Sequence, residues 1–355
     1  MPDSKVAVLK TSSKTVLKDY ARLMHLAEYQ KTISKKYETI LKLNLSWSLY
    51  YPACSTEPWQ LEGVVKTLKD DGYRKITPVE NKTVVTNPWK GVKQNKWAPV
   101  FKKYGLKFTA LPDVEWITCK PKGDMLVLDE IFDPVTIPKM FCGKNIIHLP
   151  TVKTHGHSTT TGAMKNAFGG LLKEVRHHCH AHIHEVLVDL LTIQKEIHEG
   201  IFAVMDGTVC GDGAGPRTME PRIKNYILAS DDQVAIDAIS AKMMGFDPMK
   251  IKYIKLAHDR GLGIGDPKQI DILGEDISKV NFKFKVKKSP VIAGDQLFRK
   301  GPLSFVEPLL FHTWFFNLCI IGSATYHDYY WYNFVGRKRI TEFMKTEWGQ
   351  LFKRY

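Results

Sequence analysis

Short apolar runs that stop abruptly, separated by stretches with a helical stripe, recur along this chain and restrict it to an α/β fold. Residues 5–9 (KVAVL) and 39–45 (TILKLNL) read as strands. Between them a helix is expected over 16–36, with Leu17, Tyr20, Leu23 and Met24 on one stripe. Further strands are expected at 75–79, 125–128, 145–149, 201–206 (IFAVMD) and 223–229. Helices are expected from Pro58 with Thr56 as N-cap, at 137–141, over 185–198, and behind Ser230-Asp231-Asp232 until Gly245 stops it. A last pair, 250–258 and 270–273, closes the globular part. With 355 residues and 44% hydrophobic composition the chain exceeds one compact domain. The expectation is two Rossmann-like lobes with mostly parallel sheets, 1–150 and 151–290, then an aromatic, basic C-terminal helical tail, 291–355.

Chemistry in such folds collects past strand ends, and residues 145–190 carry the densest candidate. Ile146, Ile147 and Leu149 form an apolar run closed by Pro150. Lys153, His155, His157, Ser158, Thr159, Thr160, Thr161, Lys165 and Asn166 follow, none of them needed for a core. Beyond Gly169 and Gly170 come His177, His178, His180, His182 and His184 around Cys179. Imidazole titrates near neutrality and is the commonest metal ligand. An extended segment would point His178, His180, His182 and His184 to one face, whereas a helix would align His177, His180 and His184. The bland alternative is a solvated turn whose histidines are merely neighbours. Metal ligation is assigned to His178, His180 and His182.

Further along, IFAVMD places Asp206 at a strand end, and GTVCGDGAGPR reads as a Gly-rich loop. Its glycines can take positive φ and let a ligand approach the backbone, though it matches neither GxGxxG nor the P-loop, and a structural turn competes. Cofactor contact is assigned to His157, Thr159, Thr160, Asn166, Gly211, Gly213 and Gly215. Asp237 sits among small apolar residues, where a carboxylate must be paired, hydrogen-bonded or protonated. Catalysis is assigned to Lys153, His155, Lys165, Asp206 and Asp237, with capping as the competing role for Asp237.

The net charge of +14 calls for an anionic partner. Six cysteines form no CxxC pair, which argues against an iron–sulfur cluster and leaves a transition metal of unknown identity on the histidines. The N-terminus, MPDSKVAVLK, has no apolar signal core, so a cytoplasmic setting with free thiols is expected, peripheral to a membrane at most. Lysines and tryptophans mix over 81–107, yet without a stacking module nucleic acid is disfavoured. Residues 303–339 are apolar and aromatic, interrupted by Glu307, Pro308, His312 and Asn317, and end in Arg337-Lys338-Arg339. A spanning helix does not fit. The tail is either an interfacial helix on an anionic membrane surface or a docked helix lining an apolar cleft.

Several motifs in order, LKLNL, LPTVKTH, GAMKNAFGGLL, VMDGTVCGDGAGPR, LASDDQVAIDAISAKMMGFDP and HDRGLGIGD, together resemble the domain-of-unknown-function 362 family over about 41–274. The resemblance implies an α/β assembly, and redox work in members that carry an appended ferredoxin-type module. Here aromatics stand where that module would supply cysteines. A fainter similarity is to nickel-dependent lactate racemases, in which a Gly-rich segment with a cofactor-linked lysine precedes a metal-binding histidine; Lys165 and the His177 to His184 cluster follow that order. The chain is thus expected to be a metal- or cofactor-dependent oxidoreductase or isomerase acting on an anionic or conjugated organic substrate between two lobes. The alternative is a membrane-surface binding protein.

Overall fold

The computed structural model describes residues 4–355. Its strands are β1 (Ser4–Lys10), β2 (Thr39–Lys42), β3 (Ile76–Glu80), β4 (Thr109–Ala110), β5 (Trp116–Thr118), β6 (Thr136–Pro138), β7 (Lys144–His148), β8 (Thr151–His155), β9 (Thr159–Thr160), β10 (His198–Ala214), β11 (Thr218–Ser230) and β12 (Ile270–Gly274). Ten of them form one sheet in the order β12-β1-β11-β10-β7-β2-β3-β4, with β8 beside β10 and β9 beside β8. Most neighbours are parallel; β11 runs antiparallel to both β1 and β10. The α/β class with a mostly parallel sheet holds. Residue 150 lies between β7 and β8, both of which pair with β10, so segments 1–150 and 151–290 build the same sheet.

Both faces of that sheet are covered, which is why its strands read as nearly unbroken apolar runs. Val6 and Val8 of β1 face one core, which includes the helices Gly162–Leu171, Ile183–Ile197, Gln233–Met244 and Lys252–Asp259. Ala7 and Leu9, on the alternate side, face a second core with the helices Val16–Leu26, Pro58–Asp70 and Glu347–Arg354.

Several local expectations are corrected. The helix expected over 16–36 ends at Leu26 and resumes only as Tyr29–Thr32. Residues 125–128 are not a strand, because Asp189 accepts the backbone N–H groups of Leu126, Val127 and Leu128 at 2.8, 2.9 and 2.9 Å and opens a short helix there. Residues 137–141 divide between β6 and a 3-10 turn. Thr56 is not an N-cap: its hydroxyl donates to the Leu149 carbonyl at 2.8 Å and accepts from Asn44 N–H at 2.8 Å.

The Gly-rich stretch is a hairpin, not a loop, since Val209 to Ala214 ladder against β11. Its glycines admit close packing. A Cβ at Gly211 would lie 2.4 Å from Met219 Sδ, and one at Gly215 1.7 Å from the Thr154 carbonyl oxygen.

Candidate functional site

β2 and β3 end at Lys42 and Glu80, which form a buried ion pair at 2.7 Å. Burial pushes the amine's pKa down and the carboxyl's up, while each charge pulls the other back. The Gly162–Leu171 helix lies across this pair at close range. A Cβ at Gly169 would sit 3.2 Å from Lys42 Nζ, and one at Gly170 3.4 Å from its Cε.

The start of the helix is held by Asp237, which accepts from Ala163 N–H at 2.5 Å, Met164 N–H at 3.2 Å and the Tyr253 hydroxyl at 3.3 Å. Burial raises this carboxyl to about 7 against those donors. Gly162 adopts φ +65° there, where a Cβ would lie 2.2 Å from Asp237 Oδ1. Asp237 therefore caps and positions the helix; it does not line the cavity the helix faces.

That cavity, of about 470 Å³, opens at the C-terminal ends of β2 and β3. Lys165 and Asn166 project into it with Phe168. Lys165 Nζ sits 4.8 Å over the Phe168 ring and meets no hydrogen-bond acceptor among the described residues. Burial, with Arg176 and Lys153 nearby, brings its amine down to about 7. Asn166 donates to the Lys42 carbonyl at 2.9 Å and leaves its own Oδ1 unpartnered.

His177–His182 forms a 3-10 helix, whose three residues per turn put positions i and i+3 on one face. His177 and His180 accordingly line the cavity. His178 turns to His312 (4.5 Å between ring centres), His182 is exposed, and His184 lies along Tyr253 (6.1 Å). The assigned set of His178, His180 and His182 is not brought together, because it presupposed an extended strand. Instead the His180 ring lies parallel to that of His157, 4.8 Å away, and ligand atoms of His157, His180 and Asp295 all fall within 4.8 Å of one another. His155 joins this wall, its ring nitrogen accepting from His157 N–H at 3.1 Å. Burial holds the His155 and His180 imidazoles neutral.

The remaining assigned residues lie outside the cavity lining. Lys153 Nζ donates to Asn44 Oδ1, to the Cys54 carbonyl at 2.7 Å and to the Thr151 hydroxyl at 2.9 Å, and burial lowers it to about 8. Asp206 accepts from the Tyr20 hydroxyl (2.6 Å), Trp59 Nε1 (3.0 Å) and both the N–H (2.9 Å) and hydroxyl (2.7 Å) of Thr208. Thr160 pairs its hydroxyl with that of Tyr253 at 2.7 Å, and Thr159 takes φ +68° in β9. Gly211, Gly213 and Gly215 belong to the hairpin, whose Ala214, Pro216 and Arg217 reach the cavity in their place.

Sequence reasoning passed over the long-range cations. Arg217 lines the cavity without a hydrogen bond or ion pair among the described residues. Arg299 stacks 3.8 Å from the Phe311 ring and binds Asp295 (2.9 Å) and Glu307 (3.2 Å), leaving a buried Nη2 unpartnered. Arg217 stood in the GAGPR run and could have been weighed; nothing near Arg299 announces it. In all, Glu80 Oε2, Thr161 Oγ1, Asn166 Oδ1, His177 Nδ1, Asp295 Oδ2 and Arg299 Nη2 are buried polar atoms of lining residues without a hydrogen-bond partner.

Apolar side chains complete the lining: Phe168, Ile292, Phe298, Phe311, Phe316 and Ile320. All but Phe168 come from the tail. There Phe316–Ala324 turns Phe316, Cys319, Ile320 and Ser323 to the cavity, while Leu318 (51% exposed) and Ile321 (60%) face outward. Phe305 (77%), Trp314 (68%), Tyr329 (71%) and Phe334 (64%) extend that exposed surface. Among the described residues no single helix is long and apolar enough to cross a membrane; the pair Ser304–Phe311 and Phe316–Phe343, bent by 88°, reaches the length only together.

Fold and site define an α/β protein with a cavity in which cationic and imidazole side chains meet aromatic rings, Lys165 over Phe168, Arg299 over Phe311 and His177 stacked on Phe316 at 3.6 Å. Residues 39–242 match the family described as Domain of unknown function (DUF362), and the chain belongs to that family. A thylakoid-associated protein of Synechocystis sp. is 27% identical over 124 residues, which is 33% of this chain and 37% of that relative. No solved structure matches the chain. The family region holds Lys42, Glu80, Lys165, His155, His157, His177, His180 and Arg217; the tail, with Asp295, Arg299 and His327, lies beyond it.

Proposed function

We propose that this protein is an enzyme that takes an amphipathic organic anion into the cavity and moves a proton on it. The carrying observation is the set of unpartnered buried polar atoms, together with Lys165 and Arg217, in a cavity otherwise lined by aromatic and apolar side chains. Buried polar groups in folded proteins nearly always find partners, so such a cluster marks where a ligand's polar head is received. The volume suits one small molecule. Arg217 and Arg299 receive the acid group, and Lys165, poised near neutrality, exchanges a proton.

The fluorescent conjugated fatty acid cis-parinaric acid tests this directly. The acid should bind more tightly than its methyl ester, by about tenfold, and Arg217→Gln should abolish that preference while leaving ester binding unchanged. Equal affinity of acid and ester in the unmodified protein overturns the reading.

Two nitrogens and a carboxylate oxygen, from His157, His180 and Asp295, suit a divalent ion such as Zn²⁺ or Fe²⁺, with Asp295 Oδ2 already 3.7 Å from His157 Nε2. The His157 and His180 planes differ by only 12°, so one ring must turn for their lone pairs to converge. A bound ion there would polarise a substrate oxygen. Element analysis of untagged protein should find one equivalent of metal that His180→Ala removes; an unmodified protein free of metal argues against the site.

A second reading, docking at a membrane surface, is supported by the exposed apolar tail and by the printed name of the Synechocystis relative. It complements the first.

A further inference from the structure

We infer that the cavity's substrate is a single-tailed acidic amphiphile resident in a lipid bilayer, and that it enters through the tail without passing through water. This rests on the cavity reading above and adds the source of the ligand. The observation is that Phe316–Ala324 is apolar on both of its faces, yet has no protein on one of them. Phe316, Cys319, Ile320 and Ser323, at spacing i, i+3, i+4, i+7, look into the cavity. Leu318 and Ile321, on the opposite side, are exposed. A helix apolar all round belongs in a protein core or in lipid. Here one side lines the cavity with half-buried residues and the other is open, so a wall one helix thick separates the cavity from the surroundings.

Charge selects lipid as the covering. The acidic groups of this stretch are turned inward or paired: Glu307 binds Arg299, and Asp328 accepts from Trp47 Nε1 at 2.7 Å. The exposed Tyr329, Tyr330 and Phe334 are followed directly by exposed Arg337 and Lys338, the order of an aromatic belt and a basic anchor at an anionic headgroup layer. With the tail seated this way, the apolar lining of the cavity is continuous in polarity with the acyl layer. Lys165 rides on the Gly162–Leu171 helix, which packs against β2, β7, β8 and β10. An acid group drawn to Arg217 and Lys165 would carry a single apolar tail in behind it along Phe316 and Ile320. The cavity volume of about 470 Å³ is in the range that takes one small ligand.

The test loads cis-parinaric acid into phosphatidylcholine vesicles with and without phosphatidylserine and follows its transfer to the full chain by quenching of tryptophan emission. Transfer on contact makes the rate climb with vesicle concentration, and phosphatidylserine should raise it further. The double variant Leu318→Lys, Ile321→Lys should lose that dependence and slow by about tenfold, yet keep the unmodified affinity when titrated in buffer without vesicles. Phe334→Lys, outside the cavity lining, should slow transfer in the same sense. A rate independent of vesicle concentration in the unmodified protein, with binding in buffer intact, overturns the inference and leaves the cavity reading standing. Failure to bind the acid in buffer and from vesicles alike overturns both.

Discussion

Lys165 is the side chain on which chemistry at the site turns. Its amine is held near 7 by burial and by the neighbouring charges of Arg176 and Lys153, and no acceptor among the described residues competes for its proton. Anion binding favours the charged form. Below pH 7 the amine already carries its proton and affinity for cis-parinarate should be flat. Above pH 7 the complex must recruit one, so affinity should fall by up to about tenfold per unit until the amine's higher pKa in the complex is passed. Lys165→Arg stays charged throughout and should flatten the profile. Titrations between about pH 6 and about pH 9 decide it, and a flat profile in the unmodified protein removes Lys165 from the binding step.

At the scale of elements, the Gly162–Leu171 helix is placed by one carboxylate and one glycine. Gly162→Ala would force a side chain into φ +65° and drive its Cβ into the Asp237 carboxylate. The conformational part costs about 1 kcal/mol and the overlap about 1–3 kcal/mol more. Urea unfolding should shift to lower midpoint by that amount at unchanged slope. Acid-over-ester preference should shrink with it, because Lys165 and Asn166 ride on this helix; an unaffected midpoint would show that the cap is dispensable.

How far the sequence spoke follows from how local each feature is. Runs such as KVAVL and IFAVMD declare strands because both faces of the sheet are apolar, and Asp232 declares a helix start by accepting from Val234 and Ala235 N–H. His155, His157, Lys165, Asn166 and His180 were legible as one region because a single stretch carries them. The choice among the histidines was not, since it depends on 3-10 against extended geometry. Arg217 and Arg299 reach the cavity through a hairpin and a distant helix that no local pattern connects to it. The Gly-rich run misled because its glycines answer to Met219 and Thr154 across the hairpin, contacts that exist only in the fold.

For the molecule as a whole, the tail is both a wall and a surface. Its apolar exterior is larger than scattered hydrophobics explain, and each exposed Arg or Lys near an anionic leaflet adds about 1 kcal/mol. The unmodified chain should float with phosphatidylserine vesicles, and Trp314→Glu with Tyr329→Glu should leave it in the dense fraction at unchanged thermal stability. An unmodified chain that stays in the dense fraction counts against the docked tail.

The sheet order has a consequence for how the protein is made. β1 precedes both of its neighbours among the described residues, β11 and β12, by about two hundred residues or more in the chain. At typical rates of synthesis those strands follow on the order of tens of seconds later. Until then KVAVL is an unpaired apolar edge. Exposed Lys5 and Lys10 put charge on that strand, of the kind that discourages edge pairing with another chain.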